Sequence, residues 1–294
     1  MANGIIVMDK PAGWTSMDVC GKLRRLLDER RVGHAGTLDP MATGVLPVFV
    51  GRATRAVEFA ESGDKEYIAG LRLGVETDTQ DSSGQVVAEH KADCDRQALE
   101  EVLFQFRGDI LQVPPMYSAL KRNGKKLYEL ARKGKTVERK PRPVTISALE
   151  ILSQEGPDHY TLRIGCSKGT YIRTLCHDIG QTLGCGGVMD ALRRTRAAGF
   201  TLADAVTMEQ VIQAAEEGRA EALLTPVDRF FAGHPALTVR GRAERLCRNG
   251  NPFHWEAEEG LYRVYGSDGS FLMLGRLEQG QMKTVKSFFD VPKE

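Results

Sequence analysis

The stretch that limits this chain most runs from Arg30 to Gly51. It sets one carboxylate, Asp39, between Leu38 and Pro40, in a segment loosened by Gly33, Gly36 and Gly44, and continues into an apolar run, Val45 to Val50, with strand character. Glycine allows positive φ and close approach of a ligand to the backbone, while proline fixes its own φ and pushes its predecessor toward extended geometry. The predicted local structure is therefore a loop that holds Asp39 in place, followed by a strand. His34 stands five residues before the carboxylate, and a flat ring near a presented acid suits gripping and acting on a nucleobase. The same residues also suit an Asx-type turn without any chemical role, because Asp is a common turn residue.

With 294 residues, the chain is long enough for two domains and a large core. A hydrophobic share of 41% and a charged share of 27% are ordinary for a soluble globular protein. The longest uninterrupted apolar stretch, Val45 to Val50, contains a proline and falls well short of the about 20 residues a membrane span needs. Met1-Ala2-Asn3-Gly4 leads straight into Ile5-Ile6-Val7-Met8, without the basic region or cleavage site of a signal peptide. No membrane association is expected. Six cysteines without a Cys-x-x-Cys pair fit a reducing, cytoplasmic compartment. Cys176-His177 could suggest a metal, but adjacent side chains on a helix point about 100° apart and no second pair follows, so no metal is expected.

Net charge is only +1, but it is unevenly spread. Between Lys121 and Arg142 lie ten Lys or Arg against Glu129 and Glu138, so this segment carries +8 and the remainder is near −7. Such polarity is the footprint of a polyanion partner, since Lys and Arg neutralise phosphates and release counterions. A solvated basic face has the same composition.

In chain order, Gly4 to Asp9 reads as a strand ended by the turn Lys10-Pro11-Ala12-Gly13. Thr15 and Asp18 form a capping-box pattern before a helix with Val19, Cys20, Leu23, Leu26 and Leu27 on one face. Arg52 to Ala60 is a predicted short helix. Glu66 to Gly74 is a strand with Tyr67, Ala69, Leu71 and Leu73 on one side, where a tyrosine by default fills the core. Asp78 to Gly84 is a polar loop whose acids lack EF-hand spacing. Asp95 caps a helix with Leu99, Val102, Leu103 and Phe106 inward. Within the basic segment Lys125 to Arg132 can form a short helix.

Val144 to Leu152 and Tyr160 to Cys166 read as strands. The next helix buries Ile172, Leu175, Cys176, Ile179 and Leu183, leaving Tyr171 and Arg173 off that stripe, where Arg173 could make an ordinary surface ion pair. Val188 to Arg196 shows an apolar wall at Leu192 and a basic edge. Thr207 and Gln210 open another helix, and Phe230 to Pro235 marks an expected domain boundary. Beyond it come a basic helix, Arg240 to Arg248, and strands near 261–265, 270–276 and 284–289, the first two joined at Ser267-Asp268-Gly269.

Gly36-Thr37-Leu38-Asp39-Pro40, followed by Ala42, Gly44 and Val45-Leu46, resembles the catalytic motif of the TruB family, the tRNA pseudouridine-55 synthases. Lys10 to Ser16, Asp64 to Tyr67, Ser167 to Arg173 and Leu192 to Thr195 stand in the order the family shows them, together spanning about two thirds of the chain. The resemblance implies an α+β fold: a mixed, largely antiparallel sheet flanked by helices, with a small C-terminal β-rich PUA-like domain. It implies a catalytic domain over 1–231, a basic RNA-clamping insertion at about 116–143, and an RNA-binding domain over 232–294. The implied activity is isomerisation of uridine 55 in the T-loop of tRNA by a bacterial-type enzyme working without a cofactor, as a monomer with no obligatory protein partner.

The resemblance also implies roles. Asp39 is the catalytic carboxylate, kept charged by Arg173. Tyr67 stacks on the target base and assists proton transfer, and His34, Tyr171 and Leu192 supply the walls that retain the freed uracil. Lys10 braces the loop rather than touching substrate, and Asp81 is a possible base contact. Lys121, Arg122, Lys125, Lys126, Arg132, Lys133 and Arg193 are further RNA-contact or bracing residues. A non-catalytic RNA binder on the same scaffold is the rival class, and an RNA-guided relative acting within a complex is another.

Overall fold

The protein is described by a computed structural model that covers residues 2–122 and 124–289. Strand β1 (Gly4–Lys10) opens the chain. The Thr15 hydroxyl accepts from the Asp18 amide while the Asp18 carboxylate accepts from the Thr15 amide, and this capping box starts α1 (Ser16–Leu26). Strands β2 (Val32–His34) and β3 (Thr43–Val50) frame the Asp39 loop. A 3-10 turn over Gly51–Ala56 then runs into α2 (Val57–Glu61), so the predicted single helix is two pieces. Strand β4 (Lys65–Leu73) buries Tyr67, Ala69, Leu71 and Leu73, as the two-residue period requires. A small ribbon of β5 (Val75–Thr77) and β6 (Val86–Glu89) brackets the Asp81 loop.

Asp95 accepts from the Ala98 amide and caps α3 (Arg96–Gln105), which leads to β7 (Gly108–Gln112). The basic segment holds β8 (Lys121–Arg122), β9 (Lys125–Lys126) and α4 (Leu127–Ala131). Strands β10 (Arg142–Glu155) and β11 (His159–Cys166) pair as a hairpin. They are followed by α5 (Ile172–Thr182), β12 (Gly187–Ala197), β13 (Phe200–Thr201) and α6 (Met208–Glu216), the last opened by a Thr207–Gln210 capping box.

Among the described residues these strands form one nine-stranded sheet in the order β1-β3-β12-β4-β11-β10-β7, with β2 beside β3 and β13 beside β12. All pairings within it are antiparallel except that of β12 with β3, which joins Arg193 to Thr43 and Arg194 to Gly44. The expected mixed, largely antiparallel α+β architecture is therefore the observed one. The insertion of β12 between β3 and β4 matters most, because it brings the Leu192–Thr195 stretch against both the Asp39 loop and Tyr67. Its strand character is masked in the sequence by an arginine, Arg194, at an inward position. One core cluster, including Leu23, Leu38, Tyr67, Leu175, Ile179 and Leu192, ties α1, α5 and the Asp39 loop to the sheet.

The C-terminal unit comprises β14 (Ala236–Thr238), α7 (Gly241–Arg248), β15 (Phe253–His254), β16 (Gly260–Tyr265), β17 (Phe271–Glu278) and β18 (Gln281–Ser287). Its five strands run in the order β14-β16-β17-β18-β15 and enclose their own core, centred on Val264, Leu272 and Met282. The last strand begins three residues earlier than its sequence suggests, at Gln281 rather than Thr284. The junction is packed. Phe231 is buried with its ring centroid 5.5 Å from Phe59 on one side and 5.7 Å from Phe288 on the other. The Tyr265 hydroxyl donates to Asp228 at 2.8 Å. No helix among the described residues is long and apolar enough to cross a membrane.

Candidate active site

The Asp39 loop is gripped from the β1–α1 corner. Lys10, 0% exposed, donates from Nζ to the carbonyls of Pro11 (2.8 Å), Trp14 (2.6 Å) and Pro40 (3.3 Å). The Leu38 amide donates to Ser16 Oγ at 3.0 Å, and the Gly13 amide donates to the Pro40 carbonyl at 2.8 Å. Residues on both sides of Asp39 are thus pinned while its side chain stays free of this network. Burial pulls the Lys10 ammonium down to about 8, against the opposing charge of Asp39. Its three carbonyl partners make Lys10 a brace for the loop.

Arg173 reaches the loop from the first turn of α5. The turn before it is set by Gln112, whose side-chain amide accepts from the Tyr171 amide (2.8 Å) and donates to the Tyr171 carbonyl (3.1 Å). Arg173 Nη2 lies 3.2 Å from Asp39 Oδ2 and 2.8 Å from the Tyr117 carbonyl, while Nη1 lies 3.5 Å from Asp81 Oδ2. Arg173 therefore bridges two carboxylates of different character. Asp39 is 35% exposed, whereas Asp81 is 5% exposed. Asp81 Oδ1 accepts from the Thr79 hydroxyl (2.9 Å) and the Ser83 amide (3.0 Å), and also from the Ser83 hydroxyl. Asp81 is thus turned inward and braces Arg173 rather than facing outward as a base contact would, leaving Asp39 as the more exposed carboxylate of the pair.

The charge state of Asp39 is set by opposing causes. Burial pushes the Asp39 carboxyl above its usual range; Arg173 opposes that rise, Asp81 adds to it and Lys10 opposes it. The arginine limits the upward shift without reversing it. A desolvated carboxylate of raised basicity is a better proton acceptor and nucleophile than a solvated one.

Tyr67 is buried on β4, and burial raises its hydroxyl, with the Arg194 charge opposing and the Asp39 charge adding. Leu192 and Leu38 belong to the same cluster. Tyr171 caps α5, and burial raises its hydroxyl too, with Arg173 opposing and Asp39 adding. Asp39 is thus sensed by both tyrosines. His34, on β2, is held toward the neutral form by burial and by Arg194, and its buried Nδ1 has no hydrogen-bond partner. Its electrostatic neighbour is Arg194, and no hydrogen bond joins it to Asp39.

Arg193 is not part of this cluster. The strand alternation turns it to the other face, where it pairs with Asp9 at 2.8 Å and meets Thr43 Oγ1 at 3.3 Å. Lys121, Arg122, Lys125 and Lys133 are exposed, and the charges of Lys126 and Arg132 sit 5.4 and 5.3 Å from the centre of the Tyr128 ring. None of these cations touches Asp39, but the root of the insertion does reach the site, through the Tyr117 carbonyl on Arg173. Among the described residues no group of three or more His, Cys, Asp or Glu is placed to hold a metal ion.

Sequence reasoning passed over Gln112 and Arg194. Gln112 lies far from every motif and carries no local signal. Arg194 is 1% exposed; it lies within the Leu192 to Thr195 motif, and the two-residue period it shares with the inward Leu192 was the local signal for its burial.

The family model described as TruB family pseudouridylate synthase (N terminal domain) matches residues 24–172, and that described as tRNA pseudouridylate synthase B C-terminal domain matches residues 173–232. A tRNA pseudouridine synthase B of Azoarcus sp. (strain BH72) is 45% identical over 96% of this chain and 94% of its own. That of Clostridium kluyveri is 41% identical over 97% and 99%. The chain belongs to the TruB family of pseudouridylate synthases.

Among solved structures, a chain from a Cbf5-Nop10-Gar1 complex has a TM-score of 0.74 and 26% identity, covering 98% of this chain and 85% of that one. A chain from an H/ACA RNP bound to a substrate RNA containing 2′-deoxyuridine shares the fold, with a TM-score of 0.72 and 24% identity over 98% and 86%. The junction between the two family models, at 172/173, lies at the start of α5 and is not a structural boundary.

Proposed function

We propose that this chain converts uridine to pseudouridine at position 55, in the T-loop of tRNA, acting alone on a flipped-out nucleotide with Asp39 as the catalytic carboxylate. The observation that carries this reading is the asymmetry of the Arg173 bridge: one carboxylate is sealed and fully hydrogen-bonded, and the other is left open beside two tyrosines. The substrate follows from the named relatives, which are tRNA pseudouridine synthases. We read residues 1–231 as the catalytic unit, 116–143 as its RNA-binding insertion, and 232–294 as an accessory RNA-binding unit. A cytoplasmic site of action follows from the tRNA substrate.

The reaction breaks the bond from ribose C1′ to uracil N1, turns the base, and joins C1′ to C5. The proton on C5 then leaves and N1 gains one, so nothing is oxidised and no co-substrate is consumed. Asp39 serves either by attacking the nucleotide to give a covalent adduct or by taking a sugar proton to give a glycal. Tyr67 gives its hydroxyl proton to N1 and then takes the C5 proton, and the electron pair of that C–H bond restores the ring double bond. Leu192 and Tyr171 keep the detached uracil from leaving. Extruding a stacked uridine costs a few kcal/mol, an aromatic stack returns about 1–3 kcal/mol, and phosphate contacts from the ten Lys and Arg of the basic segment supply the remainder. That insertion also favours a stand-alone enzyme over one guided by a second RNA.

The test is purified chain with an unmodified tRNA transcript and no added partner, read by mass detection of derivatised pseudouridine. Conversion at the T-loop uridine, lost in Asp39→Asn with RNA binding retained, is the expected result. Binding without conversion by the intact chain would make it a non-catalytic RNA binder.

A further inference from the structure

Arg194 sits deep in the sheet with no carboxylate to pair with. It is 1% exposed, and its guanidinium donates from Nε to the Val45 carbonyl at 2.7 Å and from Nη2 to the Gly36 carbonyl at 3.0 Å. Among the described residues it makes no salt bridge; its charged neighbours include Lys10, Lys65 and His34, each of which it pushes toward its neutral form. A buried, uncompensated cation is costly by several kcal/mol. Two backbone carbonyls alone could be served by a neutral donor, so a charge at this position has a use beyond holding the loop.

The register shows where that charge is spent. Arg194 is the direct cross-strand partner of Tyr67 on β4 and of Gly44 on β3. The approach to β3 is so close that a Cβ on Gly44, whose φ is +100°, would meet the Arg194 carbonyl oxygen at 2.2 Å. Arg194 is therefore held rigidly between the strand that follows Asp39 and the strand that carries Tyr67. As direct cross-strand partners the two side chains share one buried face, and the Arg194 charge there opposes the rise that burial imposes on the Tyr67 hydroxyl.

We infer that Arg194 is a positioning residue for proton transfer: fixed by the Gly36 and Val45 carbonyls beside its cross-strand partner Tyr67, it stabilises the negative charge left on the Tyr67 oxygen once the hydroxyl proton has passed to N1, until that oxygen takes the proton from C5. This rests on the pseudouridine synthase reading, within which Tyr67 is the acceptor. The geometry suits the task because the same guanidinium reads the Gly36 carbonyl, three residues before Asp39, so carboxylate loop and proton acceptor move as one unit. A lysine keeps the charge but presents one nitrogen where arginine presents a planar fork, so it cannot hold both carbonyls in the same geometry.

The experiment is a double-mutant cycle on single-turnover conversion of saturating tRNA, using Arg194→Gln, Arg194→Lys and Tyr67→Phe, with thermal melts and tRNA affinity measured on each. If Arg194 acts through Tyr67, Arg194→Gln slows the wild-type background by about 30-fold or more and the Tyr67→Phe background by less than about threefold. Arg194→Lys then recovers part of the rate and covers the case in which the glutamine variant does not fold. Equal factors in both backgrounds would make Arg194 a loop support only and overturn the inference.

An activity-independent readout accompanies it, the pH titration of the Tyr67 ring carbon in protein labelled at tyrosine Cζ, assigned by the Tyr67→Phe spectrum. Loss of the cation moves Tyr67 ionisation to higher pH, whereas simple loosening would expose the ring and move it lower, toward the ordinary value. A downward or absent shift overturns the inference even if the enzyme is active. Absence of conversion by the wild-type chain would instead fail the pseudouridine synthase reading, and with it the proton-transfer role.

Discussion

Replacement of Arg173 by methionine strands two acids at once. Methionine keeps part of the stem but removes the charge lying 3.2 Å from Asp39 Oδ2 and 3.5 Å from Asp81 Oδ2. Asp81, at 5% exposure, cannot recover water, and removing one partner of a buried pair costs about 3–5 kcal/mol. Asp39 is a third exposed, so it regains solvent and adds less. Against a total stability of roughly 5–15 kcal/mol, the melting temperature falls by roughly 10 °C.

The pH dependence supplies the sign. The Asp39 carboxyl already stands above its usual range through burial, and loss of the opposing Arg173 charge raises it further. A carboxyl raised in the folded state binds its proton there to a higher pH than in the unfolded chain. Its penalty is therefore present above the folded value and disappears as the pH falls below the unfolded one. The melting-temperature gap between wild type and Arg173→Met should be widest at neutral pH and narrow on acidification. The acid limb of the single-turnover rate should move to higher pH. Adding Asp81→Asn to Arg173→Met should restore most of the stability but not the rate. A gap independent of pH, together with an unmoved acid limb, would refute the bridge as the organiser of the site.

Three further outcomes are expected. Gly44→Ala places a methyl group 2.2 Å from the Arg194 carbonyl at a φ of +100°, so it should part β3 from β12 and abolish conversion; a variant with wild-type rate and melting temperature would show that the two strands yield. Phe231→Ala opens a cavity among Phe59, Phe271 and Phe288 and should cost about 3–5 kcal/mol in denaturant unfolding, with no effect expected if the two units fold independently of their junction. Changing Lys121, Arg122, Lys125 and Lys126 to glutamine should weaken tRNA binding at low salt and flatten the dependence of log K on log salt by about 3 in slope; an unchanged slope would remove the insertion from the RNA interface.

The roles of Asp39, Tyr67 and Arg173 came from the resemblance to the TruB motifs, since local rules alone offered an Asx-type turn, core filling and a surface ion pair; Arg173 is instead buried, in the first turn of α5. What local rules did mark are the ends of helices. Capping boxes at Thr15 and Thr207 stand where their side chains predict. Such features are local: they depend on φ, hydrogen bonds and periods within a few residues. The direction in which the Asp39 carboxyl is shifted was not legible, since desolvation depends on how Lys10, Asp81 and α5 close over it from distant parts of the chain. The inward turn of Asp81 and the Gln112 clamp on Tyr171 are likewise contacts across long sequence separations. The place of β12 between β3 and β4, which makes Arg194 a neighbour of Tyr67, is a matter of sheet order. Sheet order is a global choice among pairings of similar strands, and it is settled by packing rather than by any residue's own preference.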